Sequence, residues 1–310
     1  MKKITKVLIF NLIFLILVSC GQIKDEKSSG KVNFIISKNF GNQIIDNKFL
    51  EYKENYTVID YLEENFEIET AYGGGFVNSI NGIESGFTNK TNKEQLDWFY
   101  YVNGNLANIG ANEYVLSSED VVIWDYHSWG NDNYVSNIIG AYPINFINSG
   151  LDLEIIENGD YTSEIDELKK YLKDEGLKNI TVNTYDKNDI ENIEINSIII
   201  GKYKDIKNIP MIKNVFDNKE NFGIFYDIEE NINIYSFDRK TVETYEKGAI
   251  ISSVQKEYNS LSVIWMITGN DENLIKKAIK ILNENPEEIK GKTSLLITED
   301  KIVNLPIVNN

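Results

Sequence analysis

A change of hydrophobic period near the middle of the chain constrains its fold most. From Lys31 to Trp129 apolar and polar residues alternate in short runs, VNFIIS, LDWFYYVNG and EYVLSSEDVVIWDY, which is the two-residue period of strands. From about Ile144 onward, strand-like runs (ITVNTY, SIIIG, LSVIWMITG) are interleaved with EIDELKKYLKDEG and NDENLIKKAIKILNEN, whose apolar residues recur every 3.6 positions. That interleaving belongs to α/β units. The chain therefore reads as a strand-rich α+β half followed by an α/β half, and its 310 residues are enough to bury two cores. The division falls at 31–135 and 145–310. The turn-rich WGNDNYVSN between them is where a protease should enter first if the halves fold separately.

Local signals place the elements. Thr57 can cap a helix with Val58, Ile59, Tyr61 and Leu62 on one side and Asp60 in its first turn. Asn103-Gly104 is a two-residue hairpin turn, because both central positions of a type I′ turn need positive φ. Thr162 or Ser163 is expected to cap the next helix, with Gly176 just past its end, and Asn270 or Asp271 to cap the last one.

Residues 1–20 read MKKITKVLIFNLIFLILVSC: a cationic start, then an apolar run from Val7 to Val18, about 12 residues and too short for a bilayer core of ~30 Å. This reads as a signal peptide. Its end, Leu17-Val18-Ser19-Cys20-Gly21, resembles the lipobox of bacterial lipoproteins, whose Cys carries fatty acyl chains such as palmitate and becomes the mature N-terminus. Cys20 is the one cysteine of the chain, so it has no partner for an internal disulfide. Residues 21–30 are a polar tether. The expected location is extracytoplasmic, anchored to the cell membrane.

The formal charge of −17 and a single arginine, Arg239, exclude nucleic acid, which requires clustered cations. Catalytic residues are few. His127 is the one histidine, so a zinc site lacks ligands and a Ser or Cys triad has one candidate base and no nucleophile-elbow sequence. Asp217-Asn218-Lys219-Glu220 lacks the ligand spacing of an EF-hand. The expectation is a protein that is not an enzyme and has no catalytic cofactor.

Aromatic residues are concentrated in the first half. Trp98 and Tyr100 alternate with Phe99 and Tyr101, and Trp124, Tyr126 and Ser128 alternate with Asp125, His127 and Trp129, so each strand carries large rings on both faces. Tyr72-Gly73-Gly74-Gly75-Phe76 is a bare backbone between aromatics, suited to close approach of a flat ligand. The alternative is that these rings fill a small core and the glycines only turn the chain.

The runs TVIDYLEENF, AYGGGFVNSINGI, LDWFYYVNGN and ANIGANEYVLSSEDVVIWDYHSW resemble, in this order, bacterial extracytoplasmic domains similar to the C-terminal domain of transcobalamin and gastric intrinsic factor. The resemblance covers about Lys31 to Trp129 and implies a β-grasp-like domain that forms one wall of a cobalamin site. The ligand-facing set it implies is Tyr72, Gly73, Gly74, Gly75, Phe76, Trp98, Trp124, Tyr126, His127 and Trp129, with His127 as a ligand to the cobalt of a bound corrinoid. The implied partner is an uptake transporter of the energy-coupling-factor type. The vertebrate carriers place an α/α barrel before this domain, whereas here an α/β domain follows it. The competing expectation is a cell-surface interaction module that binds a protein or glycan through the same rings.

Overall fold

The N-terminal half is built on a hairpin of β1 (Lys31–Lys38) and β2 (Gln43–Glu51), followed by helix α1 (Val58–Asn65). Thr57 caps α1 reciprocally with Asp60: Thr57 Oγ1 accepts from the Asp60 N–H at 3.3 Å, and Asp60 Oδ2 accepts from the Thr57 N–H at 2.8 Å. A small antiparallel sheet, β3 (Ile68–Ala71), β4 (Phe76–Ile80) and β5 (Ile83–Glu84), precedes β6 (Leu96–Val102), β7 (Asn105–Leu106) and β8 (Val121–Ser128). Asn103 and Gly104 have φ of 50° and 85° and turn β6 into β7, as the Asn-Gly pair requires. The main sheet has the order β2-β1-β8-β6-β7, with β1 and β8 parallel at its centre. One face packs on α1 through Phe34, Ile36, Trp98, Tyr100, Val122 and Trp124, giving the α+β, β-grasp-like arrangement. This computed structural model describes residues 30–71, 75–88, 90–130, 133–185 and 194–308.

The second half opens with a single turn, α2 (Ile144–Ile147), then β9 (Leu153–Asn158), α3 (Thr162–Asp174), β10 (Ile180–Thr184), β11 (Asn196–Lys202), α4 (Tyr203–Ile206) and α5 (Pro210–Asp217). A three-stranded side sheet follows, β12 (Tyr226–Ile228), β13 (Ile232–Tyr235) and β14 (Val242–Tyr245). The chain ends with β15 (Ala249–Gln255), β16 (Val263–Gly269), α6 (Glu272–Glu284), β17 (Ser294–Ile297) and β18 (Ile302–Leu305). The large sheet runs β10-β9-β11-β16-β15-β17-β18, parallel over its first four strands and antiparallel beyond them. Both of its faces are covered, by α3 and α6 on one side and by α5 and the side sheet on the other. Its central strands are accordingly continuous apolar runs. Asp271 caps α6, accepting from the Asn273 and Leu274 N–H groups. Thr162, in contrast, is the first residue of α3 itself; Tyr161 takes the cap position and makes no side-chain cap bond. Among the described residues no helix is long and apolar enough to cross a membrane.

The end of the stretch between the halves is buried, through Val135, Ile138, Ile139 and Ala141, whereas Tyr134 before it is exposed. The buried end is a wedge in a cluster that draws Ile35, Tyr101, Val121 and Ile123 from the second face of the N-terminal sheet and Phe225 and Phe237 from the other half. Lys31–Asn310 forms one compact unit.

Candidate functional site

The two faces of β8 meet different surroundings, and this decides the fate of the aromatic set. On the α1 face, Trp98 and Trp124 are buried. Trp124 stacks on Tyr100 at 4.8 Å, and Trp98 donates its Nε1–H to the Ile83 carbonyl at 2.9 Å. They are core, as their place opposite α1 requires. Tyr126 lies against Trp98 at 5.3 Å but stays half-buried. Trp129, just past β8, is also half-buried; it meets Phe87 edge to face at 5.1 Å and donates to Asp97 Oδ2 at 2.7 Å. Ser85 Oγ donates to the other oxygen of Asp97. Phe76 opens β4, and the carbonyl of Gly75 just before it faces the turn at Gly110. Tyr72, Gly73 and Gly74, like Cys20, lie outside the described residues. The expectation that Trp98, Trp124, His127 and Trp129 share one cleft is therefore corrected, because the pleat sends them to opposite faces and all but Trp129 are enclosed.

On the opposite face, His127 and Asp125 form a closed centre. The turn after β1 holds Asn39, Phe40 and Gly41 at φ of 57°, 61° and 76°, an arrangement that aims successive N–H groups inward at an anion. Asp125 is that anion. Its Oδ1 accepts from the Phe40 N–H at 2.8 Å and lies 2.8 Å from His127 Nδ1; its Oδ2 accepts from the Gly41 N–H at 2.8 Å and from Ser37 Oγ at 2.6 Å. An ionised carboxylate only accepts, so His127 carries its proton on Nδ1. Burial pushes the Asp125 carboxyl up, but the bonds from His127, Ser37 and Gly41 outweigh it and hold the group below its usual value. The imidazole is stacked between Phe40 at 4.3 Å and Phe99 at 4.5 Å, and its side chain is 7% exposed. This corrects the expectation that His127 reaches the cobalt of a corrinoid, since Asp125 takes Nδ1 and the side chain is too enclosed for a macrocycle to approach the other nitrogen. Nor is the centre a hydrolytic triad, because Ser37 donates to the aspartate and not to the histidine.

Sequence reasoning missed a second feature. Where the β6–β7 turn presses on residues 137–145, a recess of about 240 Å³ is lined in part by amides, among them Asn103, Asn105, Asn145, Asn148 and Gln255. Most are paired: Asn137 Nδ2 and Gln255 Nε2 both donate to Asn105 Oδ1, and Asn103 Nδ2 and Asn148 Nδ2 both donate to Asp120 Oδ1. Asn145 differs. It is 3% exposed, and neither its nitrogen nor its oxygen has a hydrogen-bond partner, an arrangement that costs about 1–3 kcal/mol per group. No spacing signals this set, because its members lie on four separate segments between residues 102 and 261.

Residues 55–128 match a family model described as a domain of unknown function, DUF4430. No curated protein matches the chain. Among solved structures, one described as "a putative metal binding protein" from Ruminococcus gnavus is 13% identical with a TM-score of 0.25, covering 33% of this chain and 99% of its own. A second, haptocorrin in complex with Cbi, is 15% identical with a TM-score of 0.25. That match spans 32% of this chain and a quarter of the haptocorrin chain, 25%. Among the described residues no group of three His, Cys, Asp or Glu side chains is placed to hold a metal ion.

Proposed function

We propose that this chain is an extracytoplasmic ligand-binding protein rather than an enzyme, anchored to the cell membrane through lipid on Cys20. In this reading it captures a corrinoid such as cobalamin and passes it to an energy-coupling-factor type transporter. The observation that carries the reading is the half-buried aromatic pair just past β8, where Trp129 meets Phe87 edge to face at 5.1 Å. Flat, rigid rings of this kind offer a large apolar contact at low entropic cost. The motif order in residues 31–129 supports the ligand class, and haptocorrin with Cbi is a corrinoid-bound neighbour. The enclosed His127 and the misordered Ser37 support binding over catalysis.

Titrating the full-length protein with cobalamin and with cobinamide tests this. The expected result is saturable binding at micromolar concentration with an unchanged visible spectrum, because His127 does not reach the cobalt. Trp129→Ala should weaken binding roughly tenfold, the equivalent of about 1.4 kcal/mol of lost apolar contact. No saturable binding to either corrinoid overturns the ligand assignment. It leaves the surface-interaction reading, for which Tyr258, 77% exposed beside Tyr134, is the favouring observation. The anchor is tested separately: in a bacterial host fed a fatty-acid probe, the wild-type chain should take up label and pellet with membranes, and Cys20→Ser should do neither.

A further inference from the structure

We propose that Asp97 is the positioning residue of the aromatic pair just past β8: its buried carboxylate fixes Trp129 directly and Phe87 through Ser85. The inference rests on the reading of this pair as a ligand-binding surface and deepens it. Neither ring belongs to a strand. Phe87 lies in the irregular stretch between β5 and β6, and Trp129 follows the last residue of β8. The Trp129 backbone keeps one bond, from its N–H to the Gln95 carbonyl at 3.0 Å, before Gly130 turns the chain at φ 95°.

Side chains set the two rings instead. Asp97, in β6, is 8% exposed, and each of its oxygens takes a donor. Oδ2 accepts the Trp129 Nε1–H at 2.7 Å, and Oδ1 accepts from Ser85 Oγ. Ser85 is fully buried, and its Oγ in turn accepts from the Phe87 N–H at 3.1 Å and the Thr88 N–H at 2.8 Å, which fixes the backbone that carries the Phe87 ring. The edge-to-face contact of Phe87 with Trp129 is the result. A buried carboxylate is destabilising unless a cation or well-placed donors offset it. Among the described residues no lysine, arginine or histidine forms an ion pair with Asp97, so the charge is offset through the side chains that it orients.

The same bond restricts what the pair can recognise. With its one donor held by Asp97, the Trp129 indole presents ring surface and no polar group to a ligand. That surface fits the apolar face of a macrocycle and offers nothing to a hydroxyl or carboxylate group. A ligand that has to immobilise a freely moving ring loses about two- to tenfold in affinity for each one, which is the advantage of rings already held.

Two measurements on the full-length protein test this. Asp97→Leu keeps the side-chain size and removes both acceptors. In the ligand-free protein the Trp129 indole N–H signal, identified by its loss in Trp129→Phe, should be protected from solvent exchange and should exchange at least about tenfold faster in Asp97→Leu. In a cobinamide titration Asp97→Leu should weaken binding about tenfold in the wild-type background but only about threefold in Trp129→Ala, where Phe87 is the one ring left to hold. A purely structural role would give equal losses in the two backgrounds. If Asp97→Leu does not fold, Ser85→Ala carries the test: it should weaken binding about threefold and have no further effect in Phe87→Ala. Unchanged indole exchange in Asp97→Leu, or losses of equal size with and without the ring concerned, overturns the proposal. If cobinamide does not bind the wild-type protein, the corrinoid reading falls, and indole exchange alone decides whether Asp97 holds the pair.

Discussion

Asp125→Ala is expected to lower the unfolding free energy by about 3–5 kcal/mol, the cost of removing one partner from a buried, hydrogen-bonded charge centre. Four donors converge on this carboxylate, from Ser37, Phe40, Gly41 and His127, and the variant removes the acceptor they share. Two of the donors belong to a turn whose non-glycine residues Asn39 and Phe40 occupy the left-handed region, a conformation that persists because the surrounding structure holds it. Without Asp125 the turn relaxes, Phe40 leaves His127, and the cluster containing Phe225 and Phe237 loosens. Urea unfolding monitored by tryptophan fluorescence measures the loss, and a loss below about 1 kcal/mol would show that the centre does not hold the fold. The pH dependence has a definite sign. A carboxyl held below its usual value of 3.8 stabilises the folded chain fully above that pH, and this contribution is lost as the pH falls through the lower folded-state value. The stability gap between wild type and Asp125→Ala should therefore be constant above about pH 4 and narrow below it.

Gly140→Val is expected to cost about 3 kcal/mol, the upper end for overpacking, and to separate the two halves. At this crossing Gly140 lies against Gly291: an added Cβ at Gly140 would sit 2.6 Å from Gly291 backbone atoms, which have no flexible side chain to move aside. The same seam is closed by the Gly291 N–H donating to the Gly140 carbonyl at 3.0 Å and by Lys292 Nζ donating to the Gly41 carbonyl at 2.6 Å. Hydrogen exchange at the Gly291 amide should rise in the variant ahead of exchange in α6. The wild-type chain should unfold in a single transition, because residues 31–135 alone would expose Ile35, Tyr101, Val121 and Ile123. A variant with unaltered midpoint and unaltered Gly291 exchange would mean that the halves do not depend on this contact.

Sequence by itself determined the parts whose causes lie within a few residues. The capping pair Thr57 and Asp60, the Asn103-Gly104 turn and the Asp271 cap all act over two to four positions, and each forms where the residue types place it. The switch of period near residue 130 likewise separated the strands of one sheet from those of the other, since periodicity reports which side of an element is to be buried. Only the tertiary structure decided what would cover each side. Alternation put Trp124 and His127 on opposite faces of β8, but which face would be sealed depended on Phe40 from a left-handed turn some 85 positions away and on Phe225 and Phe237 about 100 positions further on. An imidazole that looked free to coordinate a metal was thereby enclosed, and an asparagine with no local signature was left buried and unpaired above a recess. Long-range packing sets exposure, and exposure, more than residue type, separates a binding group from a structural one.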